Sequence, residues 1–307
     1  MAKYLITGGY GFIGSHLIDA LLLRGDSVRI LDNLSTGKVT NVAGEHEFIQ
    51  GDVGDNNVVK EAMEGVQGCF HLAAIASVEK SNQDWSKTHQ SNQTGTVNVF
   101  DAARQNPTIP VVYASSAAVY GDNTNIPLAE SEPISPLTAY GADKAGSELH
   151  GRVATLVHGV PTVGLRFFNV FGPRQDPSSA YSGVISIFLD RTLRGKGVTI
   201  FGDGEQTRDF IYVTDVVAHL LAAMELKPTN PQVFNVCTGK SISLKIMLEN
   251  IFTITGKKIS VSYGPARLGD IRQSEGLPTM ATENLEVKAQ VEFKNGLADL
   301  IKSKISE

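Results

Sequence analysis

Short apolar runs alternate with longer amphipathic stretches along the first half of the chain. KYLIT at Lys3–Thr7 reads as a strand, 13–24 as a helix and 27–31 as a strand. A short strand at 47–51, a helix at 58–63 and a strand at 68–73 follow. A long helix is expected over 84–105, where Val97, Phe100 and Ala103 recur at helical spacing. Strands at 110–115 and 162–168 flank a second long helix at 138–157. Apolar strands that alternate with helices imply right-handed crossovers and a mostly parallel sheet covered on both faces. The expected fold is α/β, a Rossmann-like doubly wound parallel sheet.

Past 168 the texture changes. Residues 171–183 are rich in Pro, Gly, Ser and Gln, which suits an irregular surface segment. A helix near 184–194, a strand at Val198–Phe201, a helix at 215–226 with Asp215 as its N-cap, and a strand at 233–236 come next. From Ser241 the pieces no longer alternate strictly. This pattern predicts a smaller, mixed α/β lobe from which the chain returns to the main sheet. The expected division is 1–168 plus about 211–238 for the dinucleotide-binding domain and 169–210 plus 239–307 for the substrate lobe.

Composition narrows the class. Of 307 residues, 42% are hydrophobic and 19% charged, a balance that supports a packed globule and excludes a disordered chain. A net charge of −5 gives no reason to expect nucleic acid or a membrane surface as partner. No apolar run reaches the roughly 18–20 residues that would cross a bilayer. Met1-Ala2-Lys3 leads straight into the first strand, and Cys69 and Cys237 sit in separate apolar runs. A cytoplasmic protein with two buried free thiols and no metal site is expected.

Two constellations carry chemistry. Gly8-Gly9-Tyr10-Gly11-Phe12-Ile13-Gly14 closes the first strand and opens the first helix, and Asp32 ends the second strand 18 residues after Gly14. Glycines let backbone approach a pyrophosphate, the helix N-terminus offers N–H groups to the anion, and the acid suits the ribose hydroxyls of NAD while repelling the extra phosphate of NADP. Further along, Ser135-Pro136 reads as N-cap and first residue of the 138–157 helix. Within it Tyr140 and Lys144 stand four apart, hence on one face. An adjacent ammonium favours a phenolate, and the positive nicotinium of a bound cofactor would push the same way, which would make Tyr140 a base near neutral pH. Ser115-Ser116 ends a strand, where sheets of this kind place their chemistry.

With these motifs in place the chain resembles the extended short-chain dehydrogenase/reductases, and among them the UDP-sugar 4-epimerases. The shared segments are TGGYGFIGSHL at 7–17, LDNLSTG at 31–37, GDV at 51–53, HLAA at 71–74 and SSAAVYG at 115–121. YGADK at 140–144, RFFNVFGPRQDP at 166–177, FGDGEQTRDFIYV at 201–213 and RLGD at 267–270 continue the series over nearly the whole chain.

The resemblance implies Tyr140 as catalytic base, Lys144 as its activator and ribose ligand, and Ser116 as the hydroxyl that bridges the proton. It implies a tightly held NAD⁺ contacted by Gly8, Gly11, Phe12, Ile13, Gly14, Asp32, Asn33, Ser35, Thr36, Gly37, Asp52, Val53, Leu72, Ala73, Ala74, Asn92 and Phe168. For the substrate it implies Asn169, Gln175, Val184 and Thr199, with Phe201 stacked on uracil. Arg208 and Arg267 would neutralise the diphosphate, a match for bidentate guanidinium bonding. Asp270 would accept a uridine ribose hydroxyl, and Ser274 would border the hexose.

The implied reaction removes hydride from the sugar C4 while Tyr140 takes the hydroxyl proton; the 4-keto sugar then turns on its diphosphate tether and takes hydride back on its other face. Ala117 and Ala118 stand where related dehydratases and decarboxylases carry an acid, which favours epimerisation. Small Ser274 and the RQDP segment at 174–177 point to UDP-GlcNAc/UDP-GalNAc, with or without UDP-Glc/UDP-Gal. A non-catalytic NAD-binding protein is the alternative of another class, although such proteins usually lack the Tyr or the Lys. The family also pairs its two long helices into a homodimer, and the same is expected here.

Overall fold

The computed structural model describes residues 1–105, 107–177, 183–266 and 271–306. In the first half β1 (Lys3–Thr7), α1 (Phe12–Leu23), β2 (Ser27–Asp32), β3 (Glu47–Gln50), α2 (Asn56–Met63) and β4 (Gly68–His71) follow one another. Then come α3 (Val78–Gln83), α4 (Trp85–His89), a π-turn at Gln90–Thr94, α5 (Gly95–Ala103), β5 (Val111–Ser116), α6 (Ala139–His158) and β6 (Thr162–Phe167). The second half holds β7 (Asn169–Phe171), α7 (Val184–Leu193), β8 (Val198–Phe201), β9 (Thr207–Tyr212), α8 (Val213–Leu226) and β10 (Gln232–Val236). It ends with β11 (Ser241–Ser243), α9 (Leu244–Thr255), β12 (Val261–Gly264), α10 (Thr279–Asn284) and α11 (Phe293–Ser306).

Seven strands form one sheet in the order β10-β6-β5-β4-β1-β2-β3, and every pairing is parallel. The chain steps from β1 to β2 in one direction and crosses to β4 on the other side, so the order reverses between β1 and β4. A crevice opens at such a point, outside the carboxyl ends of the strands. Both faces are covered: Leu17, Ile18 and Leu21 of α1 pack with Val216, Val217 and Leu220 of α8, while Val59, Val99, Phe100 and Ala154 of α2, α5 and α6 close the other side. A third core, built from Ile185, Leu189, Phe210, Met247 and Leu300, holds together α7, α9, α11 and two small sheets, β11-β9-β7 and β12-β8.

The strand assignments of the first half stand within two residues, but two helix caps need correction. The 84–105 helix stands within two residues as α4, the π-turn and α5 in unbroken succession, and Asp84, whose backbone leaves the helical region, separates it from the preceding α3. α6 is capped by Thr138, whose hydroxyl accepts from Gly141 N at 3.0 Å; Ser135-Pro136 lies outside it. α8 begins at Val213, so Asp215 is not its cap. The Asp215 carboxylate accepts instead from Gln290 N and Val291 N, each at 3.0 Å, and so fastens the approach to α11. β7, β9, β11 and β12 gave no clear sequence signal because they are short and interrupted by polar residues.

Candidate functional site

A cleft of about 420 Å³ runs along the carboxyl ends of β1, β2, β4, β5 and β6. Gly8, Gly11, Phe12, Ile13 and Gly14 line its floor. Gly8 sits at φ +70°, and a Cβ there would meet Ala73 N at 2.8 Å; one on Gly14 would meet Gly9 Cα at 2.8 Å. Only glycine fits either place. α1 starts at Phe12 with no side-chain cap, which leaves its first N–H groups open toward the cleft. That cradle fits a pyrophosphate.

Asp32, Asn33, Ser35, Thr36, Gly37, Asp52 and Val53 line one end. The Asp32 carboxylate accepts from Tyr10 N at 3.0 Å and Leu34 N at 2.8 Å, while burial pushes its pKa above the usual carboxylate value. Asn33 Nδ2 donates to Asp52 Oδ2 at 2.8 Å, which joins the two loops expected to hold adenosine. Leu72, Ala73 and Ala74 form a side wall. Thr7 Oγ1 accepts from Leu72 N and Ala73 N, both at 3.2 Å, so its own proton goes to His71 Nδ1 at 2.8 Å. His71 then presents Nε2–H to Thr96 Oγ1 at 3.1 Å. Burial, aided by the Lys144 charge, lowers the His71 pKa to about 3.

Asn92 does not line the cleft. Its amide is used on backbone, accepting from Ile75 N at 2.7 Å and donating to Ile75 O at 3.1 Å, and it braces the wall from behind. The π-turn, invisible to helical periodicity, is what carries this side chain inward.

At the other end Ser116, Tyr140, Lys144, Phe168, Asn169 and Gln175 converge. Ser116 ends β5, and its hydroxyl accepts from Ala118 N at 3.2 Å. Lys144 Nζ lies 5.8 Å from the Tyr140 ring centroid and donates to Ala114 O at 2.6 Å. Dense surroundings raise the Tyr140 pKa above that of an ordinary phenol, against the opposing interaction with Ser116. Burial lowers the Lys144 pKa to about 8, against the Asp143 and Glu148 charges. The charges expected to favour the phenolate against this burial are the Lys144 ammonium and the nicotinium of a bound cofactor.

Gln175 is held by Ser186 Oγ, which donates to its Oε1 at 2.5 Å. Val184, Thr199, Phe201, Arg208 and Ser274 are not in the cleft wall. Thr199 and Phe201 share the exposed face of β8, and Thr199 Oγ1 lies 2.9 Å from Ser262 Oγ. Arg208 Nη1 donates to Thr207 O at 2.8 Å, and buried Ser274 donates its N–H to the same carbonyl at 3.2 Å. Arg267 and Asp270 lie outside the described residues. The sequence reading missed Lys38, Arg174 and Asp176, which also line the cleft; the last two belong to the stretch read as a plain surface segment. Among the described residues there is no helix long and apolar enough to cross a membrane and no metal-ligand cluster, and both cysteines are buried and unpaired.

A dinucleotide turn and a Ser–Tyr–Lys cluster that share the crevice of a parallel sheet define a nicotinamide-dependent enzyme of the Rossmann type. The chain belongs to the NAD dependent epimerase/dehydratase family, whose model matches residues 4–237. It is 35% identical to a putative UDP-glucose 4-epimerase of Methanocaldococcus jannaschii over 97% of this chain and 96% of that one. The UDP-glucose 4-epimerase of Thermotoga maritima, solved with UDP-glucose, superposes with a TM-score of 0.95 at 34% identity, covering 99% of each chain. The UDP-N-acetylglucosamine 4-epimerase of Methanobrevibacter ruminantium, solved in complex with UDP-N-acetylmuramic acid, does so at 0.94 and 37% identity, covering 99% of this chain and 98% of that one. NAD is the cofactor of this family, and the glycine cradle and Asp32 fit it.

Proposed function

We propose that this chain is a UDP-sugar 4-epimerase that inverts C4 of UDP-hexoses, with N-acetylated hexoses among its substrates. The observation that carries the reading is the convergence of Ser116, Tyr140 and Lys144 in the cleft floored by the glycine turn, with Ala117 and Ala118 in place of an acid. NAD⁺, when bound, supplies the hydride acceptor and a positive charge beside the phenol. Tyr140 takes the C4 hydroxyl proton, directly or through Ser116, and returns a proton after the sugar has turned. Lys144 stabilises the phenolate electrostatically and holds the cofactor ribose. Asn169 and Gln175 face the cleft from the substrate side, Thr199, Phe201, Arg208, Arg267 and Asp270 serve the UDP half, and Ser274 borders the hexose.

The lobes expected at 1–168 plus about 211–238 and at 169–210 plus 239–307 accord with β10 returning to the main sheet and with the separate third core. A homodimer is supported by the exposed apolar stripe Leu149, Val153, Leu156 and Val157 on α6. The two buried thiols suit a reducing cytoplasm.

The test is NMR product analysis of UDP-Glc, UDP-Gal, UDP-GlcNAc, UDP-GalNAc and UDP-glucuronate, each incubated with enzyme without added cofactor. C4-inverted product is expected from at least one hexose pair. Tyr140→Phe is expected to lower kcat by about 10²- to 10⁴-fold while bound NAD is retained. A 4-keto-6-deoxy or pentose product would instead favour a dehydratase or decarboxylase, and no turnover with NAD bound would favour a non-catalytic binder.

A further inference from the structure

Three polar contacts tie residues 173–176 to the dinucleotide side of the cleft. Pro173 O lies 3.0 Å from His16 Nε2, Arg174 Nη2 lies 2.6 Å from Asp19 Oδ2, and Asp176 Oδ2 lies 2.7 Å from Lys38 Nζ. The first two fasten the segment along the outside of α1, one turn beyond the glycine cradle. The third reaches a different element, the loop that also carries Ser35, Thr36 and Gly37. On its other side the segment is anchored to α7 through Gln175 and Ser186. Arg174 takes a left-handed backbone at φ +65°, unusual for a side chain of its size, and this lets consecutive residues grip in different directions. Lys38, Arg174, Gln175 and Asp176 all line the cleft. The Lys38 side chain is 58% exposed and that of Asp176 29%, which places their bridge at the rim, whereas the glycine cradle lies at the floor.

We propose that residues 173–176 form a clasp over the dinucleotide cleft, and that the Lys38–Asp176 ion pair is a determinant of how long NAD stays bound. The inference rests on the NAD reading and adds to it a residue pair with no part in the chemistry. The strap arises in the substrate half and closes on the loop that embraces the adenosine end, so a dinucleotide leaving through the rim must part the bridge. A cycle that removes hydride and later returns it to the same sugar requires slow cofactor release. An exposed pair contributes modestly, so its removal raises the release rate by a small factor.

The experiment follows loss of bound NAD from the holoenzyme to an excess of immobilised NAD-hydrolysing enzyme. Lys38→Met and Asp176→Asn are each expected to speed release about two- to five-fold, from the usual strength of an exposed ion pair. The charge swap Lys38→Asp with Asp176→Lys is expected to restore the wild-type rate to within about two-fold. Salt at about 0.5 M should speed wild-type release toward that of the single variants and leave theirs unchanged. Asp19→Asn, which breaks the separate Arg174 contact, should add to Lys38→Met. Equal release from wild type and both single variants, or a swap as fast as either, overturns the clasp. A wild-type enzyme that carries no NAD when purified would instead overturn the cofactor reading on which it rests.

Discussion

His71 shows how a single buried side chain sets a pH limit on the fold. It is held neutral between Thr7 and Thr96, with burial lowering its pKa from the ordinary 6.5 to about 3. The unfolded chain takes up a proton below 6.5 that the native state refuses until about pH 3. The stability tied to this residue is therefore fully present above 6.5 and is lost as pH falls toward 3. From pH 7 to 5 the loss amounts to about 2 kcal/mol. Urea denaturation at the two pH values should show that loss in the wild type and a distinctly smaller one in His71→Asn; equal slopes would remove the assignment. Ser274 makes a residue-scale prediction of another kind. It is buried beside β9 and its N–H is bonded to the carbonyl that Arg208 also uses; under the proposed function, bulk added there would press on the hexose. Ser274→Tyr is expected to cut kcat/KM for UDP-GlcNAc by at least about tenfold while sparing UDP-Gal, a discrimination of the size a steric block gives. Equal effects on both sugars would show that Ser274 does not face the N-acetyl group.

The helix α6, which carries Tyr140 and Lys144, is fixed by more than its own propensity. One turn beyond Lys144, Glu148 receives Arg166 Nε at 2.9 Å and Nη2 at 2.8 Å, and Ser115 Oγ at 2.5 Å. Arg166 Nη1 continues to Tyr120 Oη at 2.7 Å, which donates to Asn235 Oδ1 at 2.7 Å. The network ties α6 to β5, β6 and β10 just below Ser116, and both charged side chains are about 95% buried. Leaving either charge alone in that interior is costly, whereas removing both is not. Glu148→Leu is expected to destabilise by about 3–5 kcal/mol, and the double variant with Arg166→Met to recover a large part of it, as read from denaturant midpoints. A double variant as unstable as the single one would show that the network is a matter of shape rather than charge. None of this was read from the sequence. An Arg in a strand and a Glu in a helix 18 positions apart carry no local pattern that pairs them.

At the scale of the whole molecule, the stripe Leu149, Val153, Leu156 and Val157 on α6 is apolar and exposed, as is Trp85 of α4 at 67%. A second copy that covers it would bury both long helices. Sedimentation should give a dimer, and Leu149→Arg with Val153→Arg a monomer. A wild-type monomer at micromolar concentration would refute the pairing.

The alternation of buried strands and helices, the glycine turn, and Asp32 at the end of β2 were legible along the chain because each is a local requirement: a backbone with no room for Cβ, a helix N-terminus, a strand with two covered faces. Tyr140 and Lys144 were legible for the same reason, being four apart on one helix. The titration of that pair was not, since burial depends on what packs around it, and here it pushes the phenol up and the ammonium down. The π-turn that swings Asn92 behind the wall, the strap at 173–176 and the Glu148–Arg166 network all join residues far apart in the chain. Sequence determined the cradle and the reacting groups; only tertiary packing decided their electrostatics and what closes over them, because desolvation and long-range pairing exist only once the chain has folded.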